Sequence, residues 1–150
     1  MEKTTVILEN AQQRAKEMGL PYSGVLFPAE AYTLLQVMPG IQLIDVRSKA
    51  ELDWVGRIPH AIGIELRSYP DMQLNPDFLE QLSDQVDQTS PLMFLCRSGV
   101  RSSHAATLAS QANFTSCYNI LEGFEGEKDE KGHRGTVSGW KAAALPWEQS

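Results

Sequence analysis

Cysteine, histidine and positive charge are all scarce in this chain. It has two Cys and three His, and 13 Lys plus Arg stand against 19 Asp plus Glu, a formal net charge of -6. A surface built for nucleic acid carries a basic excess, so the acidic balance excludes one, and any anion site must be local. His60, His104 and His133 are scattered without partners at ligand spacing, and no metal site is expected. Long apolar runs are missing too, which excludes a membrane span. The N-terminal stretch "MEKTTVILENAQQRAKEMG" has a short apolar run followed by charges, not a secretory signal. Cys96 and Cys117 are therefore expected as reduced thiols in a cytoplasm, although sequence alone leaves their pairing open. A disulfide framework is not needed, because 150 residues with 42% hydrophobic content can bury a core.

What the chain does have is alternation. Residues 4–18 read as a helix with Val6, Ile7, Ala11, Ala15 and Met18 near one face, stopped by Gly19. "FPAEAYTLLQVMPG" reads as a second helix, with Pro28 in its first turn and Gly40 as its stop. The strand "IQLIDV" feeds a helix through Ser48-Lys49-Ala50-Glu51, a capping box. "AIGIEL" reads as a strand. "NPDFLEQLSDQV" reads as a helix capped by Asn75, with Pro76 in its first turn and Phe78, Leu79, Leu82 and Val86 inward. Strand "PLMFLC", helix "RSSHAATLASQA", strand "SCYNIL" and a short helix around "GWKAAAL", ended by Pro146, complete the order. Strands alternating with helices imply right-handed crossovers, hence an α/β fold with a mostly parallel sheet covered on both faces. Residues 1–22 form an N-terminal helical extension to a domain spanning 23–150, with a polar, glycine-punctuated insertion at about 126–139.

Chemistry concentrates in "CRSGVRS", at the carboxyl end of a predicted strand, where open α/β sheets bind ligands. If Cys96 ends that strand and a helix starts near Arg101, the amides of Arg97, Ser98, Gly99, Val100 and Arg101 curl around one point, and the helix N-terminus adds positive charge. Such a nest favours the thiolate, helped by Arg97 and Arg101, which keep their charge. Gly99 supplies the backbone freedom of a tight turn, Ser98 and Ser102 offer hydroxyl donors, and no histidine base is required.

These residues resemble the rhodaneses, or thiosulfate sulfurtransferases, in their single-domain form. The likeness runs over residues 25–148 and rests on "LIDVRSKAEL", "GRIPHAIGI", "FLCRSGVRSSHAA" and "YNILEGFEG...GWKAAALPW". It implies a three-layer fold around a five-stranded, mostly parallel sheet. It also implies a Cys96 that takes the outer sulfur of thiosulfate, or of a related persulfide donor, releases sulfite, and carries the sulfur as a covalent persulfide without a cofactor. Cyanide in an assay, or a cellular thiol or sulfur-accepting protein, then removes it. By the same resemblance Arg97 to Arg101 stabilise the persulfide, and Arg97 and Arg101 hold the sulfonate. Asp45, Arg47 and Glu51 match the family's "DVR...E" signature in a supporting role, and Arg47 and Glu51, four residues apart, suggest an ion pair. Some two-domain members place a substrate-touching cation near the Glu51 position, where this chain has an acid.

Two other functions are carried alongside. One is a sulfur-carrier or regulatory module that holds Cys96 persulfide for a partner protein. The other, a Cys-dependent phosphatase or arsenate reductase, is disfavoured by loop length: the fold-sharing phosphatases carry Cys-x5-Arg, whereas this chain has Cys96-x4-Arg101 and Ser102 at the longer spacing. "GRIPHA" departs from the family's usual Gly-His-Ile-Pro-Gly-Ala, with Arg57 for the histidine and His60 for the glycine, where His60 tolerates a turn conformation. His104 reads as a solvated helix position and Cys117 as a core thiol. The family usually passes from "LEGG" to "W" with little between, so the insertion is the largest departure. Glu127, Asp129 and Gly132 mimic a calcium loop, but Lys131 and Ser138 fall where oxygen ligands belong. The insertion is expected to form a lid or acceptor-docking surface, with His133 or Arg134 near the substrate. The oligomeric state is not legible from the sequence.

Overall fold

The computed structural model describes residues 2–150, and Met1 lies outside them. Strands β1 (Gly24–Leu26), β2 (Gln42–Asp45), β3 (Ile62–Gly63), β6 (Leu92–Leu95) and β7 (Cys117–Ile120) make one parallel sheet in the order β1-β7-β6-β2-β3. A small antiparallel hairpin, β4 (Arg67–Ser68) with β5 (Gln73–Leu74), stands apart and was not anticipated from the sequence. The helices are α1 (Glu2–Met18), α2 (Pro28–Val37), α3 (Lys49–Trp54), α4 (Phe78–Gln85), α5 (Val100–Gln111) and α6 (Gly139–Ala142).

Side chains alternate across each strand, so one apolar run feeds two cores. Leu92, Phe94 and Cys96 join Ile44, Phe78, Leu82, Ala105 and Ala109 under α4 and α5. Met93 and Leu95 join Ile7, Ala11, Leu34, Ile120 and Trp140 under α1, α2 and α6. All four residues of central β6 have no solvent exposure, each contributing roughly 1.5–3 kcal/mol of burial. The sheet is thus covered on both faces, as the alternation predicts.

Four local expectations need correction. In α1 the buried stripe is Ile7, Ala11 and Ala15, at a spacing of four that turns Val6 and Met18 outward to solvent. Small Ala11 lets the helix lie against β1 at Gly24, and Arg14 pairs with Glu30 of α2 at 2.7 Å. The strand expected over "AIGIEL" shrinks to Ile62–Gly63 against β2, although Ile64 and Leu66 still donate their N–H groups to the Asp45 and Val46 carbonyls. Asn75 does not cap α4. It is spent on its own backbone turn, accepting from the Asp77 N–H at 3.0 Å and donating to the Glu65 carbonyl at 2.8 Å, so Pro76 lies before the helix. Finally, α6 stops at Ala142 rather than running to Pro146, and Ala144 adopts φ +58° just beyond it. Ser48, by contrast, forms the expected capping box with Glu51, and His60 adopts the left-handed turn expected of it at φ +68°.

Candidate functional site

Cys96 is the first residue past β6, and the chain then turns within three residues into α5. Gly99 makes the turn with φ +104°, a conformation that disfavours any side chain, and its N–H donates to the Cys96 Sγ at 3.1 Å. The Ser102 Oγ lies 3.2 Å from the same sulfur, from the first turn of α5. No acid occupies that first turn, so the positive helix end faces the loop without compensation from α5 itself. The loop is also gripped from behind. Phe124 donates its N–H to the Cys96 carbonyl at 2.8 Å, and Glu125 and Gly126 donate theirs to the Arg97 carbonyl. That close approach needs Gly123, where a Cβ would collide with the carbonyls of Cys96 and Arg97.

The signature acids and bases sort into two pairs, neither of them the Arg47–Glu51 pair that the spacing suggests. Arg47 instead donates to the Asp45 carboxylate at 2.8 Å and to the Gly56 carbonyl at 2.8 Å, fully buried, with its guanidinium 4.2 Å over the Phe124 ring. The pair thereby supports the residue that holds the Cys96 carbonyl. Glu51 forms a two-point ion pair with Arg101, at 2.7 and 2.8 Å. Burial pushes the Glu51 carboxyl up, but the Arg101 guanidinium and the Ser48 donors outweigh it and hold the group down at about 2. The reason for the exchange is reach: Ser48 draws the Glu51 carboxylate to the helix start, beside the Arg101 that the thiol loop delivers.

Beside the loop opens a cavity of about 760 Å³. Arg97, Arg101 and Glu51 form one wall and Tyr69, Pro70 and Met72 of the hairpin a second. Glu125, Lys128, Gly132, His133 and Arg134 form a third. Four Lys or Arg and two Glu line this mouth in a chain of net charge -6, so the local balance of charge is basic. Ser98 is half-buried and Val100 is 76% exposed at the start of α5, and of the five loop amides expected around the sulfur only the Gly99 N–H, among the described residues, donates to it.

The insertion is ordered around one acid. Asp129 accepts from the His133 and Lys131 N–H groups at 2.9 Å each and from the Thr136 hydroxyl at 2.8 Å, bonds that lower its carboxyl below the ordinary range. Arg134 donates to the Gly126 carbonyl at 2.6 Å at the base of the loop. Away from the mouth, His104 is exposed as expected, and both cysteines are free thiols. Sequence reasoning missed Asn119, buried in β7, which donates to the Gly99 carbonyl at 3.1 Å and accepts from Ser102. Its signal was present, since an amide inside "CYNIL" must find partners when the strand is buried. It also missed the hairpin wall, which carries no motif.

The chain is similar to known proteins over most of its length. The sequence model of the Rhodanese-like domain matches residues 28–130. The uncharacterized protein RP600 of Rickettsia prowazekii is 36% identical over 123 residues, covering 79% of this chain and 92% of the relative. Thiosulfate sulfurtransferase 16, chloroplastic, of Arabidopsis thaliana is 34% identical over 90 residues, 59% of this chain and 74% of that protein. Among solved structures, Rv0390 from M. tuberculosis superposes with a TM-score of 0.80 at 40% identity, covering 86% of this chain and 99% of that one. Among the described residues, no helix is long and apolar enough to cross a membrane.

Proposed function

The chain belongs to the rhodanese-like domain family, and we propose on that footing that it transfers sulfane sulfur through a persulfide on Cys96. Thiosulfate or a related persulfide donor enters the basic mouth, and the Cys96 thiolate attacks its outer sulfur. With thiosulfate the bond to the sulfonate sulfur breaks and sulfite leaves with the electron pair. With a persulfide donor its S–S bond breaks and the donor thiolate leaves. Either way the new S–S bond holds the sulfur on Cys96. A thiophile then attacks that outer sulfur, and Cys96 departs as thiolate. The observation that carries this reading is the Gly99 N–H aimed at the Cys96 sulfur inside a Cys-x4-Arg loop. Arg97 is exposed at the mouth and offers a cation for an incoming anion, while Arg101 is ion-paired with Glu51. No group beyond the persulfide is needed to balance the reaction.

The size of the mouth favours a second reading of the same chemistry. A cavity of about 760 Å³ far exceeds thiosulfate, and the exposed Trp54 and Tyr69 rings meet edge to face on its hairpin side. That suits an acceptor larger than cyanide, an organic thiol or a partner protein for which Cys96 is a sulfur carrier. His133 and Arg134 then serve as part of the docking wall.

The test is intact mass of the wild type and Cys96→Ser, before and after thiosulfate. The expected result is a gain of one sulfur atom on the wild type alone, removed by cyanide. A wild type that gains no sulfur from thiosulfate or an organic persulfide, yet hydrolyses a phosphate ester, refutes the assignment. Fast charging with slow discharge to every small acceptor favours the carrier.

A further inference from the structure

Ser102 sits between two atoms that both attract its single proton. Its Oγ lies 3.2 Å from the Cys96 Sγ and closer still to the Asn119 Oδ1. A hydroxyl donates one hydrogen bond at a time, so one of the two neighbours must do without it. The Asn119 amide decides which. Its Nδ2 donates to the Gly99 carbonyl at 3.1 Å, and a flipped amide would put two acceptor oxygens against each other there. The Oδ1 is therefore fixed toward Ser102 as an acceptor that has no proton of its own. With Asn119 3% exposed and Ser102 fully buried, water does not replace the missing donor.

We infer that Asn119 is a positioning residue that commits the Ser102 hydroxyl away from Cys96, so that Ser102 presents a lone pair to the sulfur and retains the resting thiol in its protonated form. The thiol donates to Ser102, and Ser102 donates to Asn119. When Cys96 ionises, the proton leaves the sulfur and the thiolate faces a lone pair, unless the hydroxyl swings over and abandons Asn119. This opposes the Gly99 N–H and the start of α5, which favour the anion. Once Cys96 carries a sulfur it has no proton on Sγ, and the competition ends. The pair thus acts as a brake on the free cysteine alone.

The charged groups around the sulfur are Arg97 and Arg101, the Glu51 that pairs with Arg101 from α3, and Asp45 at the end of β2, itself paired to Arg47. Asn119 and Ser102 are neutral, so their effect adds to that fixed field. The inference needs the Cys96 thiol but not its substrate, so its test stands apart from the sulfurtransferase assignment.

The experiment is the rate of Cys96 alkylation by iodoacetamide across a range of pH, on the full chain and on Ser102→Ala, Asn119→Leu and the double variant. With the lone pair gone, Ser102→Ala is expected to react about two- to threefold faster on the acid limb. Asn119→Leu, which frees the hydroxyl to donate to sulfur, is expected to react about five- to tenfold faster there, the profile moving to lower pH. The double variant is expected to match Ser102→Ala alone. Slower alkylation of Ser102→Ala on the acid limb overturns the inference, because the hydroxyl then donates to sulfur in the wild type. Equal acceleration by Asn119→Leu with and without the hydroxyl also overturns it, since the amide then acts only by loosening Gly99. Unchanged profiles in both single variants do the same. The sign of the Ser102→Ala shift decides by itself where Asn119→Leu does not fold.

Discussion

Two thiols, one just past β6 and the other in the neighbouring β7, have opposite surroundings. Cys96 follows the carboxyl end of β6, and Cys117 opens β7, its register partner being Leu92 at the far end of β6. Both are buried, at 1% and 0% exposure, so burial does not separate them. Their neighbours do. Cys96 meets a backbone N–H and the start of a helix, with Arg101 beyond. Cys117 donates to the Phe114 carbonyl at 3.6 Å among apolar side chains, and burial pushes its thiol up to about 11. A parallel sheet gathers helix N-termini at the carboxyl ends of its strands, so one end of the layer can stabilise an anion and the other end cannot. The same residue type is a candidate nucleophile at one end and core packing at the other.

The largest expected effect comes from exchanging the roles. Cys96→Ser is expected to lower thiosulfate turnover more than about a thousandfold, because a serine hydroxyl in this nest is not ionised and cannot carry sulfane sulfur. Cys117→Ala is expected to keep turnover within about twofold and to cost roughly 1 kcal/mol of stability for the small space left. Steady-state rates and urea melts of the two variants check this. A Cys117→Ala protein that charges with sulfur but discharges slowly would break the contrast, since Cys117 would then act as a resolving thiol.

A smaller effect concerns how the charged end of the sheet is held. Glu51 has its carboxyl lowered from 4.5 to about 2 in the fold, so its ionised form stabilises the native state. That contribution is complete above about pH 4.5 and is lost as pH falls toward 2. The Arg101–Glu51 pair is 13% and 18% exposed, so solvent screens it only in part. Glu51→Gln is expected to cost roughly 2–3 kcal/mol near neutral pH, and the gap to wild type should close as pH approaches 2. Urea midpoints at neutral and acid pH measure it. A gap of equal size at both means that the Glu51 charge, and so its pair with Arg101, does not stabilise the fold. The Cys96 end would then owe its charge arrangement to the loop alone.

The sheet was legible in the sequence because each strand is a short apolar run between helix signals, and the Cys96 loop because thiol, glycine and arginines sit within seven residues, "CRSGVRS". Pairings across the fold were not. Arg47 and Glu51 are helix-spaced, and only the folded chain puts Asp45 against one and Arg101 against the other. Asn75 was misread because its side chain serves the Glu65 carbonyl, ten residues back, instead of a helix amide. Asn119 and Ser102 lie seventeen residues apart, and nothing local marks them as neighbours. The hairpin wall with Tyr69 was invisible for a different reason. Its strands are two residues each, too short to show a period.

The smallest expected effect lies at the rim, where the Cys96 end opens to solvent. Arg134 lines the mouth and donates to Gly126, while Asp129 holds the rest of the insertion through backbone and Thr136 bonds. Removing Arg134 should therefore weaken the field at the entrance without dismantling the loop. Arg134→Ala is expected to raise KM for thiosulfate about three- to fivefold with kcat unchanged, and the difference should fade in about 0.5 M salt, where exposed charges are screened within a few ångströms. A fall in kcat at constant KM, unaffected by salt, would place Arg134 against the reacting sulfur instead of at the entrance. The anion-stabilising end of the sheet would then extend beyond the Cys96 loop into the insertion, and the contrast with the Cys117 end would be wider than the strands alone make it.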